Sequence, residues 1–228
     1  MPATIGERIQ DLVGFDYASN TINSEDEAIE TAAAEVIDAL PVSLLLKYAV
    51  APHDLYTDNT TWNAVEGKKI LRVIRFDAGT VARVCQKVDI DEWKGITSDS
   101  NSIYYPTKHS PVYTENPESG TTVLEVFPTP TAAGTDLAES AKVYYITYPI
   151  GTDEESLSET AGLPNEAEHA IALKASMYII QVLISDAVQD DEDDEILGML
   201  NNQAQSLQAM YLAEMQRLTG DSGEQTGE

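Results

Sequence analysis

Apolar residues recur in this chain with two incompatible periods, and the switch between them limits what it can fold into. Up to Tyr48, and again from Pro164 onward, they return every three or four positions, the spacing of one helix face. Between Ile70 and Tyr148 they form short runs rich in Val, Ile, Tyr and Thr, bounded by Gly, Pro, Asn and Ser, as strands and turns require. The 228 residues suffice for one elaborated domain or two small ones. The predicted class is therefore α+β, an α-helical bundle body built from both chain ends with an inserted small antiparallel β-domain. Residues 1–67 supply the N-terminal helices, 68–150 the β-domain, 151–218 the C-terminal helices and 219–228 a flexible acidic tail. That tail holds three glycines and no apolar residue, too little to fix itself against a core.

In the first flank, Thr4 and Glu7 fit a capping box ahead of Ile5, Ile9, Leu12 and Val13. Ser24 and Glu27 repeat it before Ile29, Ala32, Ala33, Val36, Ile37 and Leu40, where Pro41 breaks the pattern and Val42 to Tyr48 predicts a shorter helix. In the second, Pro164 suits a first helical turn. Ala167, Ala170, Ile171, Ala175, Tyr178, Ile179 and Val182 then make the stripe of a buried helix. After the acidic run Asp190 to Glu195, Leu197, Leu200, Ala204, Leu207 and Tyr211 form a seam that packs on another helix, its pattern continuing to Leu218. In the middle, strands are predicted at Ile70 to Phe76, Val81 to Val88, Ser102 to Tyr105, Val123 to Phe127 and Val143 to Tyr148. The connection 89–116, with Pro106 and Pro111, reads as an exposed contact loop.

Charge follows the same division. The chain carries 39 acids and 13 bases, a formal net of −26. Residues 1–67 hold 12 acids and 2 bases, 68–142 hold 10 and 9, and 143–228 hold 17 and 2. A protein that tracks phosphates needs clustered Lys and Arg, so tight nucleic-acid binding is disfavoured. The single Cys85 excludes an intramolecular disulfide and a cysteine-rich zinc site. Leu44-Leu45-Leu46 is cut by Lys47 and the start lacks a basic segment followed by an apolar one, so neither a membrane span nor a signal peptide is predicted.

Motifs for chemistry are sparse. Glu166 and His169 form a Glu-x-x-His pair, the helix-face spacing of di-iron bundles, but a bundle needs two such pairs and further glutamates. A small metal-binding or metal-dependent catalytic protein on this helix is the alternative reading; the plain one has Glu166 and Glu168 complementing a helix start. The run Asp190 to Glu195 lacks the glycine and ligand spacing of a calcium loop. Ser119, Cys85 and the three histidines (His53, His109, His169) stand in no nucleophile-elbow context, and Gly67-Lys68-Lys69 is not a phosphate loop. No enzyme, cofactor or catalytic residue is predicted. Seven of the 13 bases lie between Lys68 and Lys94. Lys68, Lys69, Arg72, Arg75 and Arg83 are read either as an inter-subunit basic patch meeting the acidic face of a neighbouring copy or as a solvated strand face. The seam end is likewise read as core or as a partner-docking element.

The succession of parts carries a resemblance. The helix pair ends in Leu40-Pro41, and a β-insert follows with Pro-Val-Tyr (Pro111 to Tyr113), Val-Phe-Pro-x-Pro (Val126 to Pro130) and Tyr-x-x-x-Pro (Tyr145 to Pro149). Leu-Pro-Asn-Glu-Ala-Glu-His (Leu163 to His169) then opens a long helix. Over about residues 24 to 218 this resembles the head-to-tail adaptor (connector) proteins of tailed bacteriophages, including the tail tubular or gatekeeper-type adaptors of short-tailed phages. The resemblance implies a virion structural protein of the neck, made in the host cytoplasm. Its homo-oligomer would be a ring of about twelve copies between portal protein and tail or nozzle protein, with genome DNA passing through without specific binding. It places portal binding on Met210, Tyr211, Met215 and Leu218, and contacts to the tail or a neighbour on Tyr104, Tyr105, Lys108, His109 and Tyr113. An acidic ring repels phosphate, and Glu25, Asp26, Glu27, Glu30, Asp190, Asp191, Asp193 and Asp194 are the candidate channel acids.

Overall fold

The computed structural model describes residues 4–14, 25–49, 51–57, 60–77, 81–118, 121–132, 139–149, 163, 165–189 and 194–220. It is α+β, with helices at both ends of the chain and two four-stranded sheets between them. Two compact units result, Met1–Tyr48 with Tyr148–Glu228, and Ala49–Thr147.

The first unit is helical. Its helices are α1 (Ile5–Val13), α2 (Glu25–Ala39), α3 (Val42–Tyr48), α5 (Asn165–Gln189) and α6 (Asp194–Gly220). The capping box forms as predicted: the Glu7 amide donates to Thr4 Oγ1 at 3.2 Å and the Thr4 amide to Glu7 Oε2 at 3.0 Å. Gly14, at φ +69°, closes α1 with its amide donating to the Gln10 carbonyl. α5 is the hub, packing on α1, α2 and α6. Ala170, Ile171, Ala172 and Leu173 are consecutive and fully buried. At about 100° per residue they cover all sides of the helix, so α5 is enclosed there rather than amphipathic. Its stretch Glu166–Val188, of mean hydropathy 1.5, is long and apolar enough to cross a membrane by length and composition. Run length alone misses this because Glu168 and Lys174 interrupt the stretch, and a core helix passes the same test.

The second unit holds β1 (His53–Leu55), β2 (Thr61–Trp62), β3 (Lys68–Phe76), β4 (Ala82–Val84), β5 (Gln86–Lys87), α4 (Ile90–Ser98), β6 (Val112–Glu118), β7 (Thr121–Phe127) and β8 (Ala141–Thr147). One sheet runs β1-β8-β3-β4 and the other β2-β7-β6-β5. Leu55, Val73, Ala141 and Val143 from the first sheet share a core with Trp62, Tyr113, Leu124 and Val126 from the second. The chain changes sheet at the buried Cys85, so the predicted single strand Val81 to Val88 is two.

Several boundaries move. The β-unit starts before residue 68, because β1 and β2 are too short for their alternation to register. Residues 89–116 are not one loop: α4 and the start of β6 lie within them. The reason is topological, since β5 pairs with β6 in parallel and a parallel pair needs a crossover. Ser102 to Tyr105 is turn rather than strand, with Ile103 90% exposed. α6 continues to Gly220, two residues into the predicted tail; Ser24, Pro164 and 221–228 lie outside the described residues.

Candidate functional surfaces

The seam of α6 faces inward: Leu200, Leu207 and Leu218 are buried, and Leu197, Ala204 and Tyr211 of the same seam are half-buried. Of the four residues assigned to portal binding, Leu218 is thus a core residue at 5% exposure, and Tyr211 is held by the Lys174 ammonium 5.5 Å from its ring. Met215 is half-buried and Met210 is exposed. The outward apolar surface of α6 lies instead at Ile196, Met199, Met210 and Leu212. A three-four spacing locates a seam but does not tell its ends from a free surface.

Lys174 is also the centre of a polar cluster that the sequence did not reveal. Its Nζ lies 3.0 Å from Glu35 Oε2 and 5.1 Å from the Tyr178 ring, and Tyr178 Oη donates to Glu35. Tyr148 Oη donates to Asp38 at 2.7 Å, burial pushing that phenol up to about 12. Glu35 and Asp38, one turn apart on α2, thereby tie α2 to α5 and to Tyr148.

Among the candidate channel acids, Glu25 packs on α1, where a Cβ on Gly6 would come within 2.8 Å of its carboxylate. Asp26 and Glu30 are half-buried, and Glu27 and Asp194 exposed. Glu25, Asp26, Glu27 and Asp194 lie in first helical turns, where the dipole favours them. Asp190, Asp191 and Asp193 lie outside the described residues.

The five bases do not form one patch. Arg75 is buried, at 5% exposure. Its Nε donates to the Pro128 carbonyl at 2.7 Å, Nη1 to Phe76 at 2.7 Å and Ser140 at 3.3 Å, and Nη2 to Thr129 at 3.1 Å. It pins the segment after β7, where the Phe127–Pro128 peptide is cis, and is no surface charge. Lys68 lies over the Trp62 and Tyr145 rings, 5.6 and 5.9 Å from their centroids. Arg83 is half-buried directly opposite Arg75, Lys69 is half-buried and Arg72 is exposed. Strand alternation with a bulge between Ile70 and Arg72 distributes these residues over two faces.

Of the predicted contact loop, Tyr104 is 74% exposed beside Ile103, and Lys108 and His109 form the tip of the 107–110 turn, Lys108 pairing with Asp77 at 3.3 Å. Tyr105 packs edge-on against Phe127 with centroids 5.4 Å apart. Tyr113 is not in a loop: it lies in β6, buried, its phenol pushed up to about 12.

Glu166 and His169 are both exposed, while Glu168 is buried and lies 3.6 Å from Arg8 of α1. Among the described residues no group of three or more His, Cys, Asp or Glu side chains is placed to hold a metal ion. Cys85 is buried and its thiol is pushed up to about 12, chiefly by that burial.

One cavity of about 240 Å³ lies on the outer face of the second sheet, bounded by Thr60, Thr61, Trp93, Thr97, Glu125, Val126, Phe127 and Thr129. Thr61 and Thr114 flank Glu125 on either side in register. Asn116 Nδ2 donates to Glu125 Oε1 at 3.3 Å. Trp93 of α4 meets Phe127 edge-on with centroids 6.3 Å apart. Scattered Thr and Glu in separate elements give no sequence signal for such a site; strand register and the seat of α4 assemble it.

No protein-family model matches the chain, and no curated protein is similar to it.

Proposed function

We propose that the chain is a head-to-tail adaptor of a tailed bacteriophage, assembling as a ring between portal and tail around the passing genome. The observation that carries this reading is how charge divides between the two units. The helical unit, made from both chain ends, holds 26 acids and 4 bases, a net of −22; the β-unit holds 13 and 9, a net of −4. An acidic body offers phosphate no counterion-releasing contact, so DNA can slide through such a ring without sticking. The near-neutral β-unit is the part suited to protein contacts. Its exposed Ile103 and Tyr104 are the surface for the tail or a neighbouring copy, and Met210 with Leu212 on α6 is the surface for the portal.

Electron cryomicroscopy of the neck of the virion tests the reading. A closed ring of this chain stacked on the portal is expected. Absence of the chain from the particle would overturn the assignment.

A further inference from the structure

We infer that the cleft beside Glu125 is a binding site for a guanidinium group, presented as an arginine side chain by another polypeptide. The inference stands on the β-unit alone and does not require the adaptor role.

Size comes first. At about 240 Å³ the cleft falls below the roughly 300–1,000 Å³ of sites for cofactors and drug-sized ligands, so it suits a side chain rather than a nucleotide. Charge comes next. Among the described residues Glu125 is the one ionisable residue lining it, half-buried, and the hydrogen bond it accepts from Asn116 comes from a neutral amide. No cation among the described residues pairs with it. Arg75, behind the Pro128–Thr129 turn, spends its N–H groups on carbonyls.

The rest of the lining favours a planar donor. Thr60, Thr61, Thr97 and Thr129 line the same cleft, each with a hydroxyl oxygen that can accept. The Thr97 hydroxyl donates to the Trp93 carbonyl at 2.6 Å, which leaves its lone pairs to accept. Next to Glu125 in the β6 register, the buried Thr114 Oγ1 has no hydrogen-bond partner among the described residues, so the polar capacity of this row is not used up internally. The Trp93 and Phe127 rings line it too, edge to face with each other, and aromatic rings attract a cation. A guanidinium donates in a plane to a carboxylate and stacks on aromatic rings, whereas an ammonium is a compact, strongly hydrated point charge.

The test uses the full chain and ¹⁵N NMR, because its two tryptophans supply both probe and control. Trp93 walls the cleft, while Trp62 lies in the core stacked on His53. Titration with N-acetyl-argininamide should move the Trp93 indole N–H saturably and leave the Trp62 signal in place. The neutral N-acetyl-citrullinamide and the lysine analogue should each bind at least tenfold more weakly, as should the argininamide to Glu125→Gln. Thr61→Val, a near-isosteric change in a strand, should weaken it severalfold and serves if the Glu125 variant fails to fold. Sedimentation of wild type against Glu125→Gln distinguishes the source: weaker self-association in the variant assigns the arginine to a second copy. Unchanged sedimentation, with argininamide binding intact in wild type, assigns it to a different protein. No saturable shift, equal binding of the citrulline or lysine compound, or equal binding by Glu125→Gln would overturn the inference.

Discussion

Replacing Arg75 by methionine should unfold the β-unit at a much lower urea concentration while leaving the helical unit untouched. The guanidinium donates to four backbone carbonyls. The Ser140 oxygen keeps the Phe76 amide at 2.9 Å, so methionine strands three: Pro128, Thr129 and Phe76. An acceptor left without its partner costs about 1–3 kcal/mol. Because these oxygens are only part-buried the low end applies, giving a loss of about 3 kcal/mol. For a unit of this size, with a urea dependence of roughly 1.3 kcal/mol per molar, the midpoint moves by about 2 M. Both tryptophans lie in this unit, so their emission reports it alone, and far-UV circular dichroism reports mainly the helices. A tryptophan transition displaced by less than about 0.5 M, or a helical transition displaced equally, would refute the reasoning. Arg75→Lys keeps the charge without the planar fork and should recover only part of the loss.

Cys85 should resist a thiol reagent at pH 8 in the native protein and react at the rate the β-unit opens, measured by labelling across a urea series. Leu218→Asp should lower the melting temperature of the helical unit by burying an unpaired charge. Met210→Asp with Leu212→Asp should leave melting within about 0.5 kcal/mol of wild type and abolish portal attachment in a binding assay. The Tyr178 hydroxyl and then the Lys174 ammonium hold the Glu35 carboxyl below its ordinary value of 4.5. Its contribution is therefore fully present above that value and lost as pH falls through the lower folded one. Glu35→Gln should flatten the acid side of the stability profile below pH 4.5, read from denaturant midpoints, with a small amplitude because the group is half exposed.

Where a residue repeats a local rule, the sequence was enough. Thr4 with Glu7, the Pro41 break and the Leu200 to Leu218 seam are each set by neighbours within a turn or two. The failures lie where register decides. Arg72 and Arg75, three apart on a strand, fall on opposite faces, and nothing in the sequence marks the face on which backbone carbonyls take up Arg75 and leave Arg72 exposed. Tyr113 lies in a proline-flanked stretch that reads as loop until β5 claims it as a strand partner. α4 escapes notice because one buried residue, Trp93, anchors it and no apolar stripe announces it. The Glu125 cleft draws on β2, α4 and β7, distant segments of the chain, so no window along it contains the site.

The pairing of β1 with β8 joins the two ends of the β-unit to each other, His53 opposite Val143 and Leu55 opposite Ala141. For the helices this turns a long gap into a short one. Without it, α3 and α5 are tethered through roughly 120 residues of chain; with it, through roughly 25. On the logarithmic scaling of loop closure, that lowers the entropic cost of bringing the two halves of the bundle together by about 1.4 kcal/mol. The first strand thus waits for the last, and once they meet the two ends of the β-unit are neighbours. During synthesis the β-unit can complete itself before α5 and α6 have emerged, so α1 and α2 wait for their hub and the bundle closes only when α6 has followed it.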